Sequence, residues 1–387
     1  MSTRRASLGP ITVHSALQAL AENTGGLFIS AFLVRQGVSQ PLAILAFAGM
    51  VLSRFAMRAM VLPLALRIGL HRVLLVGIAV RALSYVLLGM VHHADAMLVA
   101  HVVTMGLGSV LYWTAWHAYN AAIAQSGARG RQVSLQQAAT AAVSVIAPLL
   151  GGFMHGRLDP FSGFALIAGI QLAAAWPLLS APPAGVAATA EMDRAVVRFA
   201  RPLYFSEGLH SGAVNVVWNL ALFVSLGQRF DAFGGAMALA GICATLASLL
   251  IGRHIDAGKG RTTVLIAYGC AAIAVLAKAA AYRTPWAAIA ATALGALVTP
   301  ITQVALLAPL YAMARRSACP LRFAMATEAS WDLGSALACV IAAGALAAGA
   351  GYALPILAGL GGVASVTAML TRWYAVPHGS EQGAETA

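Results

Sequence analysis

The chain has 387 residues, 60% of them hydrophobic and only 9% charged, with a formal net charge of +12. A soluble domain is about one-quarter charged, so no water-soluble core could hide this much apolar surface, and lipid must be the solvent. The basic residues are spread from loop to loop, with no single patch or stripe, which argues against a nucleic-acid surface and fits charge that sets topology beside anionic lipid.

A spanning helix needs about 20 residues. Apolar stretches of that length fall at 11–34, 42–65, 73–92, 96–123, 133–156, 161–181, 203–227, 233–252, 262–281, 286–312, 323–348 and 352–373. The first is too long for a signal peptide and carries Glu22 and Asn23, so no cleavable leader is expected. The loops alternate in charge. One set holds Arg4, Arg5, Arg67, Arg72, Arg129, Arg131, Arg194, Arg198, Arg201, Arg253, Lys259, Arg261, Arg315, Arg316, Arg322 and Arg372, and the other only Arg35, Arg157, Arg229 and Arg283. Positive charge stays on the cytoplasmic side during insertion, so the pattern predicts an even number of spans with both termini cytoplasmic. The longest loop, 182–202, separates a first six-helix bundle (1–181) from a second (203–374), and 375–387 reads as a flexible polar tail. Cys243, Cys270, Cys319 and Cys339 have no metal-ligand spacing and read as small apolar fillers, so no metal is expected.

The halves look related. An offset of 192 residues carries Asn23 onto Asn215, Gln36 onto Gln228, and Ala48-Gly49 onto Ala240-Gly241. The loop between the eighth and ninth spans runs Gly252, Arg253, His254, Ile255, Asp256, Ala257, Gly258, Lys259, Gly260, Arg261. A tight turn uses the glycines, Asp256 can cap a helix or pair with a base, and Arg253, Lys259 and Arg261 anchor it at the headgroups. This loop resembles the loop signature of the major facilitator superfamily, whose fold is two parallel six-helix repeats. The first-half copy, around Leu64, lacks the acid. In the fifth span Ala147-Pro148-Leu149-Leu150-Gly151-Gly152 is similar to the Pro-Gly kink element of the family's antiporter branch, with Ala147 in place of its first glycine. A kink of this kind is also common in packed membrane helices at large. The resemblance covers the whole chain and implies an all-α polytopic protein of twelve transmembrane helices in two pseudo-symmetric bundles.

Charges inside the membrane cost at least about 2.5–3.5 kcal/mol each on insertion scales and need partners or water. The acids are Glu22, Glu207, Glu328 and Asp332; the bases are Arg54, Arg58, Arg81 and Lys278. Arg54 and Arg58 are four apart on span two, and Glu328 and Asp332 four apart on span eleven, so each pair shares a helix face. At 1.5 Å per residue, Arg54 and Asp332 both lie about 14–18 Å from the cytoplasmic helix ends, and Arg58 and Glu328 about 8–12 Å. The resemblance implies that spans two and eleven face each other, so a ladder of cytoplasmic gate ion pairs is expected, Arg54 with Asp332 and Arg58 with Glu328. The alternative is pairing within one half, Arg54 with Glu22. Glu22, near the middle of span one, reads either as a proton carrier or as half of an ion pair, and protonating Glu328 or Asp332 would couple the ladder to protons. Arg81 has no evident partner, and His14 and His101 read as polar residues near helix ends.

Substrate-cavity candidates are Gln18 and Asn23 in span one, Trp113, Trp116 and Asn120 in span four, Gln136 with Gln137 in span five, Glu207, His210, Asn215, Trp218 and Asn219 in span seven, and Gln303 in span ten. The aromatics of span four read equally as a lipid belt. No phosphate-binding loop, nucleophile–base set or metal cluster stands out, so no enzyme and no cofactor beyond a coupling proton is expected. The leading expectation is a secondary transporter exporting a small organic solute by proton exchange. Uptake of an organic anion through Arg54 and Arg58, or a non-transporting assembly or lipid-handling relative of the fold, are the alternatives. The expected partners are the lipid bilayer and a small-molecule substrate, with no nucleic acid and the chain a monomer. Abundant Ala, and Arg in excess of Lys, suit a bacterial inner membrane.

Overall fold

The computed structural model describes residues 8–123, 129–181, 186, 194–251, 260–315 and 319–375. Among these residues twelve helical spans follow one another and no strand forms. α1 comprises Leu8–Thr24, a 3-10 turn at Gly26–Phe28, and Ile29–Arg35. α2 comprises Gln40–Met57, a 3-10 turn at Arg58–Met60, and Val61–Ile68. α3 is Leu70–Gly89, α4 Ala96–Ile123, α5 Arg129–Arg157, and α6 Pro160–Ala173 with Trp176–Leu179. α7 is Arg194–Ser211, a π-helical segment at Gly212–Val217, and Trp218–Ser225. α8 is Phe230–Ile251, α9 Gly260–Ala281, α10 Pro285–Arg315, α11 Pro320–Ala347 and α12 Ala353–Ala375.

Local chemistry sets these boundaries. Pro160 opens α6 behind Asp159, whose carboxylate accepts the Ser162 amide at 3.0 Å, satisfying one of the amides a helix start leaves free. Gly69, at φ 87°, turns the chain between α2 and α3, a conformation that glycine adopts without a Cβ penalty. Eleven of the spans are long and apolar enough to cross a membrane. The other is α7, interrupted by its π segment.

α7 also begins earlier than the sequence suggests. Arg194, Arg198 and Arg201, expected in the linker, form its first turns. Their spacing puts all three on an exposed face while Val196, Val197 and Ala200 are buried, so amphipathic periodicity carries the helix outward from the apolar span.

The packing repeats from half to half. α3 lies on α4 and α6, α1 on α5 and α6, and α2 on α4; in the second half α9 lies on α10 and α12, α7 on α11 and α12, and α8 on α10. Two seams join the halves, α2 on α11 and α5 on α8. The first is polar and carries the site below. The second is made of small residues. A Cβ on Gly234 would collide with the Pro148 carbonyl oxygen, and one on Gly241 would come within 2.5 Å of the Ser144 oxygen, so these helices approach to backbone contact.

α1 starts and α12 ends on one side of the twelve-span bundle, the terminal side. Toward the opposite side the halves are closed by aromatic rings. Phe28 of α1 packs edge-on to Phe233 of α8 at 5.3 Å between centroids and tilted against His155 of α5 at 5.0 Å. Phe223 of α7 lies 5.3 Å from Phe230 of α8. The His155 imidazole is held at 3.0 Å from the Thr24 carbonyl through Nε2. At the rim, the Tyr352 hydroxyl donates to Gln40 Oε1 at 2.9 Å across the α2–α11 seam.

Candidate functional site

Near the middle of the α2–α11 seam four ionisable side chains interlock. Arg54 donates Nε to Asp332 Oδ1 at 2.6 Å and also a terminal nitrogen to the same oxygen. Arg58 donates to Glu328 Oε2 at 2.8 Å and to Asp332 Oδ2 at 2.5 Å. Asp332 is fully buried and Arg58 nearly so. The i, i+4 spacing on each helix aims both members of a pair at the facing helix, and the two charges of each sign cancel, which a dry seam requires.

The cluster is wider than the two rungs expected from sequence. Asp332 serves both arginines. α4 joins through Thr114, whose hydroxyl accepts from Arg58 at 3.1 Å, and through His117, whose Nδ1 lies 2.7 Å from Glu328 Oε1. The Arg54 guanidinium also lies over the Trp331 ring, 5.1 Å from its centroid. His117 is half exposed, so one edge of the cluster is solvated.

A second ion pair sits within the first half. Arg81 on α3 donates to Glu22 Oε1 at 2.6 Å and to the Ser109 hydroxyl at 3.2 Å, with its guanidinium 5.3 Å from the Tyr112 ring centroid. Glu22 therefore pairs with Arg81 and not with Arg54, and Arg81 gains the partner that the sequence left unassigned. Depth could have found it. At 1.5 Å per residue from the terminal-side helix starts, Arg81 lies about 17 Å in and Glu22 about 21 Å.

Between the halves lies a cavity of about 670 Å³. Glu22, Asn23 and Ser30 line it from α1, Arg54 from α2, Arg81 and Tyr85 from α3, and His101, Ser109 and Trp113 from α4. The second half contributes Asn215 and Asn219 from α7, Phe233 and Met237 from α8, and Trp331 from α11. Glu22 keeps about 30% of its side chain exposed toward this space. Asn215 donates to the Ser211 hydroxyl at 2.9 Å, and Asn23 to the Ala19 carbonyl at 2.8 Å.

Several expected cavity residues face elsewhere. Gln18 is buried in the first half and accepts from Gln171 at 2.7 Å. Trp116 packs on His14 at 4.7 Å and stacks with Tyr112, so it belongs to the bundle core. Trp218 donates its indole N–H to Thr292 at 3.1 Å, inside the second half. Glu207, His210, Asn120 and Gln303 are not part of the cavity wall. The Gln136 side chain lies outside the described residues, as do Gly252, Arg253, Asp256, Gly258 and Lys259 of the loop motif; Arg261 opens α9 on its exposed face. His14 is a core residue and His101 is buried at the cavity wall; neither is interfacial. His14 bonds the Ala174 carbonyl at 2.7 Å and Tyr112 at 3.0 Å, and His101 lies 2.9 Å from the Ser84 hydroxyl.

Pro148, Gly151 and Gly152 form a junction. A Cβ on Gly151 would meet Phe28 and Thr24 of α1, and one on Gly152 would meet Phe230 and Gly234 of α8. The element lets α5 touch α1 of its own half and α8 of the other.

The family model described as Major Facilitator Superfamily matches residues 12–202, and the twelve-helix fold described above continues that pattern to residue 375. The chain belongs to the major facilitator superfamily. It is accordingly a multi-pass membrane protein of a transporter family, and not an enzyme. No curated protein sequence matches it. Among solved structures, its fold is similar to the crystal structure of a mutant of the nucleoside transporter NupG, with a TM-score of 0.69 and 12% sequence identity, over 95% of this chain and 99% of that one. At that identity the likeness speaks for the fold alone. This superfamily member bears on its two seams and central cavity the features that a transport cycle would use.

Proposed function

We propose that the protein is a secondary active transporter of a small polar organic solute, uncharged overall and carrying a flat ring, which binds in the central cavity and crosses by alternating access. The observation that carries this reading is the cavity wall. It offers the partly exposed Glu22 carboxylate, the Asn23, Asn215 and Asn219 amides and the Ser30 and Ser109 hydroxyls beside the aromatic side chains of Tyr85, Trp113 and Trp331. Few polar groups among apolar and aromatic ones is the make-up of a specific small-molecule site, and about 670 Å³ is a fitting size. The charges of the wall are matched: Arg54 and Arg58 are bonded to Asp332 and Glu328, and Arg81 to Glu22. Among the described cavity-wall residues no guanidinium is left to greet an anion, which weighs against organic-anion uptake. NupG, with its similar fold, is a nucleoside transporter, so nucleosides, flat-ringed and uncharged, are the first solutes to try.

In this reading the ladder is the inner gate. The Arg and Lys density of the terminal-side loops supports placing that side in the cytoplasm of a bacterial inner membrane. Rocking one half against the other would part Arg54 and Arg58 from Asp332 and Glu328 as water enters. Buried ion pairs gain little net stability over separate hydrated ions, which suits a contact that must break each cycle. The driving ion is the proton and the direction is export by exchange, and for direction the support is the Ala147–Gly152 element, whose glycines close α5 on α1 and α8. The chain works as a monomer, with lipid around it.

The test is counterflow. Purified protein in liposomes loaded with unlabelled uridine should draw in labelled uridine, and an imposed pH gradient should then drive net movement whose sign follows the gradient. Exchange of organic anions with no exchange of neutral ring-bearing solutes would sink the substrate reading. Flux that ignores the pH gradient would sink the coupling.

A further inference from the structure

Three of the four acids described in the membrane interior are bonded to guanidiniums: Glu22 to Arg81, Glu328 to Arg58, and Asp332 to Arg54 and Arg58. The fourth, Glu207, has no ion pair and no hydrogen-bonded cation among the described residues. It lies on α7, which packs against α11 and α12.

Among the described residues no cation is bonded to it in place of an arginine. From α9, Tyr268 brings a buried hydroxyl without a hydrogen-bond partner, within electrostatic reach of Glu207. Lys278, further along α9, is turned to the Val214 carbonyl at 3.3 Å and to the Trp218 ring, 5.4 Å from its centroid. On α7 itself His210 follows one turn on, packed against the Gly359 backbone of α12. α12 carries no acid or base before Arg372, and α10 none before Tyr311. On α11, Glu328 and Asp332 are held by the arginines of α2. An ionised carboxylate without a cation is expensive in the membrane interior, so the surroundings of Glu207 accommodate the neutral acid.

A route leads from it to the cavity. Glu207, Ser211 and Asn215 follow one another at four-residue spacing along α7, Asn215 donates to Ser211 at 2.9 Å, and Asn215 lines the cavity. Side chains one turn apart on a helix are neighbours.

We infer that Glu207 is a proton-binding site, loaded and emptied from the central cavity past Ser211 and Asn215, and that its occupation is tied to the transport cycle. The inference rests on the proton-coupled reading for its role, but the site itself can be tested without any substrate. Infrared difference spectra of the protein in liposomes, recorded across a pH titration, should contain the carbonyl band of a protonated carboxyl group that disappears as pH rises. Glu207→Gln should remove that band, Glu207→Asp should keep it at a displaced frequency, and Glu22→Gln should leave it in place. A band that persists in Glu207→Gln, or no titrating band in the wild type, overturns the site. If the band behaves as expected but wild-type solute flux ignores a pH gradient, the site stands and the proton-coupled reading fails.

Discussion

The two seams that join the halves use opposite chemistry. The α2–α11 seam is held by four charges in register, with α4 adding Thr114 and His117. The α5–α8 seam is held by the absence of side chains, with Gly152, Gly234 and Gly241 at backbone contact. An ionic seam is specific about its partners yet gains little over hydrated ions, so water can take its place. A small-residue seam has nothing to offer water, and its packing is lost at once if the helices separate. In the transport cycle proposed above, that difference assigns opening to α2–α11 and the pivot to α5–α8.

The largest effect should come from the member shared by most bonds. Asp332→Asn leaves the buried Arg58 and the partly buried Arg54 with one carboxylate between them. Breaking a buried pair from one side costs about 3–5 kcal/mol, so the purified protein should lose thermal stability and transport together. Glu328→Gln should cost less, because Arg58 keeps Asp332 and Glu328 already meets solvent beside His117. Charge reversal sharpens the point. Arg58→Glu should abolish transport, and Arg58→Glu with Glu328→Arg should recover part of it. Recovery should be incomplete, since the new carboxylate at 58 would face Asp332. If the double variant is as dead as the single one, the seam is not an exchangeable ionic contact and the comparison fails.

Next comes the pivot. Gly234→Val would drive a branched side chain into the Pro148 carbonyl of the other half. Overpacking of this kind costs about 1–3 kcal/mol, and here the backbone cannot yield without opening the seam. Gly235 is the control one residue on, where an added Cβ meets nothing within 4 Å. Gly235→Ala should be neutral or slightly stabilising, since glycine in a helix interior is about 0.5–1 kcal/mol worse than alanine. Normal flux in Gly234→Val would remove α5–α8 as the pivot.

Much of this was legible in the sequence, and the limits have a physical cause. Apart from the start of α7, apolar runs marked the spans within a few residues, because lipid thickness sets their length. The ladder was legible because spacing of four fixes azimuth within a helix and residue counting fixes depth. What counting does not fix is how each helix is rotated about its axis. Gln18, Trp116, Trp218 and Glu207 are polar or aromatic residues on helices expected to line the cavity, yet they face the interior of their own half. A helix between a cavity and a bundle core has two polar-tolerant faces, and composition does not distinguish them. Thr114 and His117 were passed over for the same reason. Their roles depend on how α4 meets α11, a packing angle that no linear pattern carries. The Glu22–Arg81 pair, by contrast, was within reach of the same depth matching, applied above only to spans two and eleven.

The smallest effect probes the far end of the ionic seam. Away from the ladder, α2 and the α11–α12 turn meet through one neutral hydrogen bond, from the Tyr352 hydroxyl to Gln40. Tyr352→Phe deletes the donor and keeps the ring, which packs on Tyr282 at 6.1 Å between centroids. A neutral hydrogen bond contributes about 0.5–1.5 kcal/mol, so stability should hardly move. That amount still shifts a balance between two conformations several-fold. A reporter cysteine at Ser30, on the cavity wall, should be labelled faster by an impermeant maleimide added on the side opposite the termini. Unchanged labelling would mean that the aromatic rings and the glycine seam hold that side shut by themselves, and that the α2–α11 contact works at one end only.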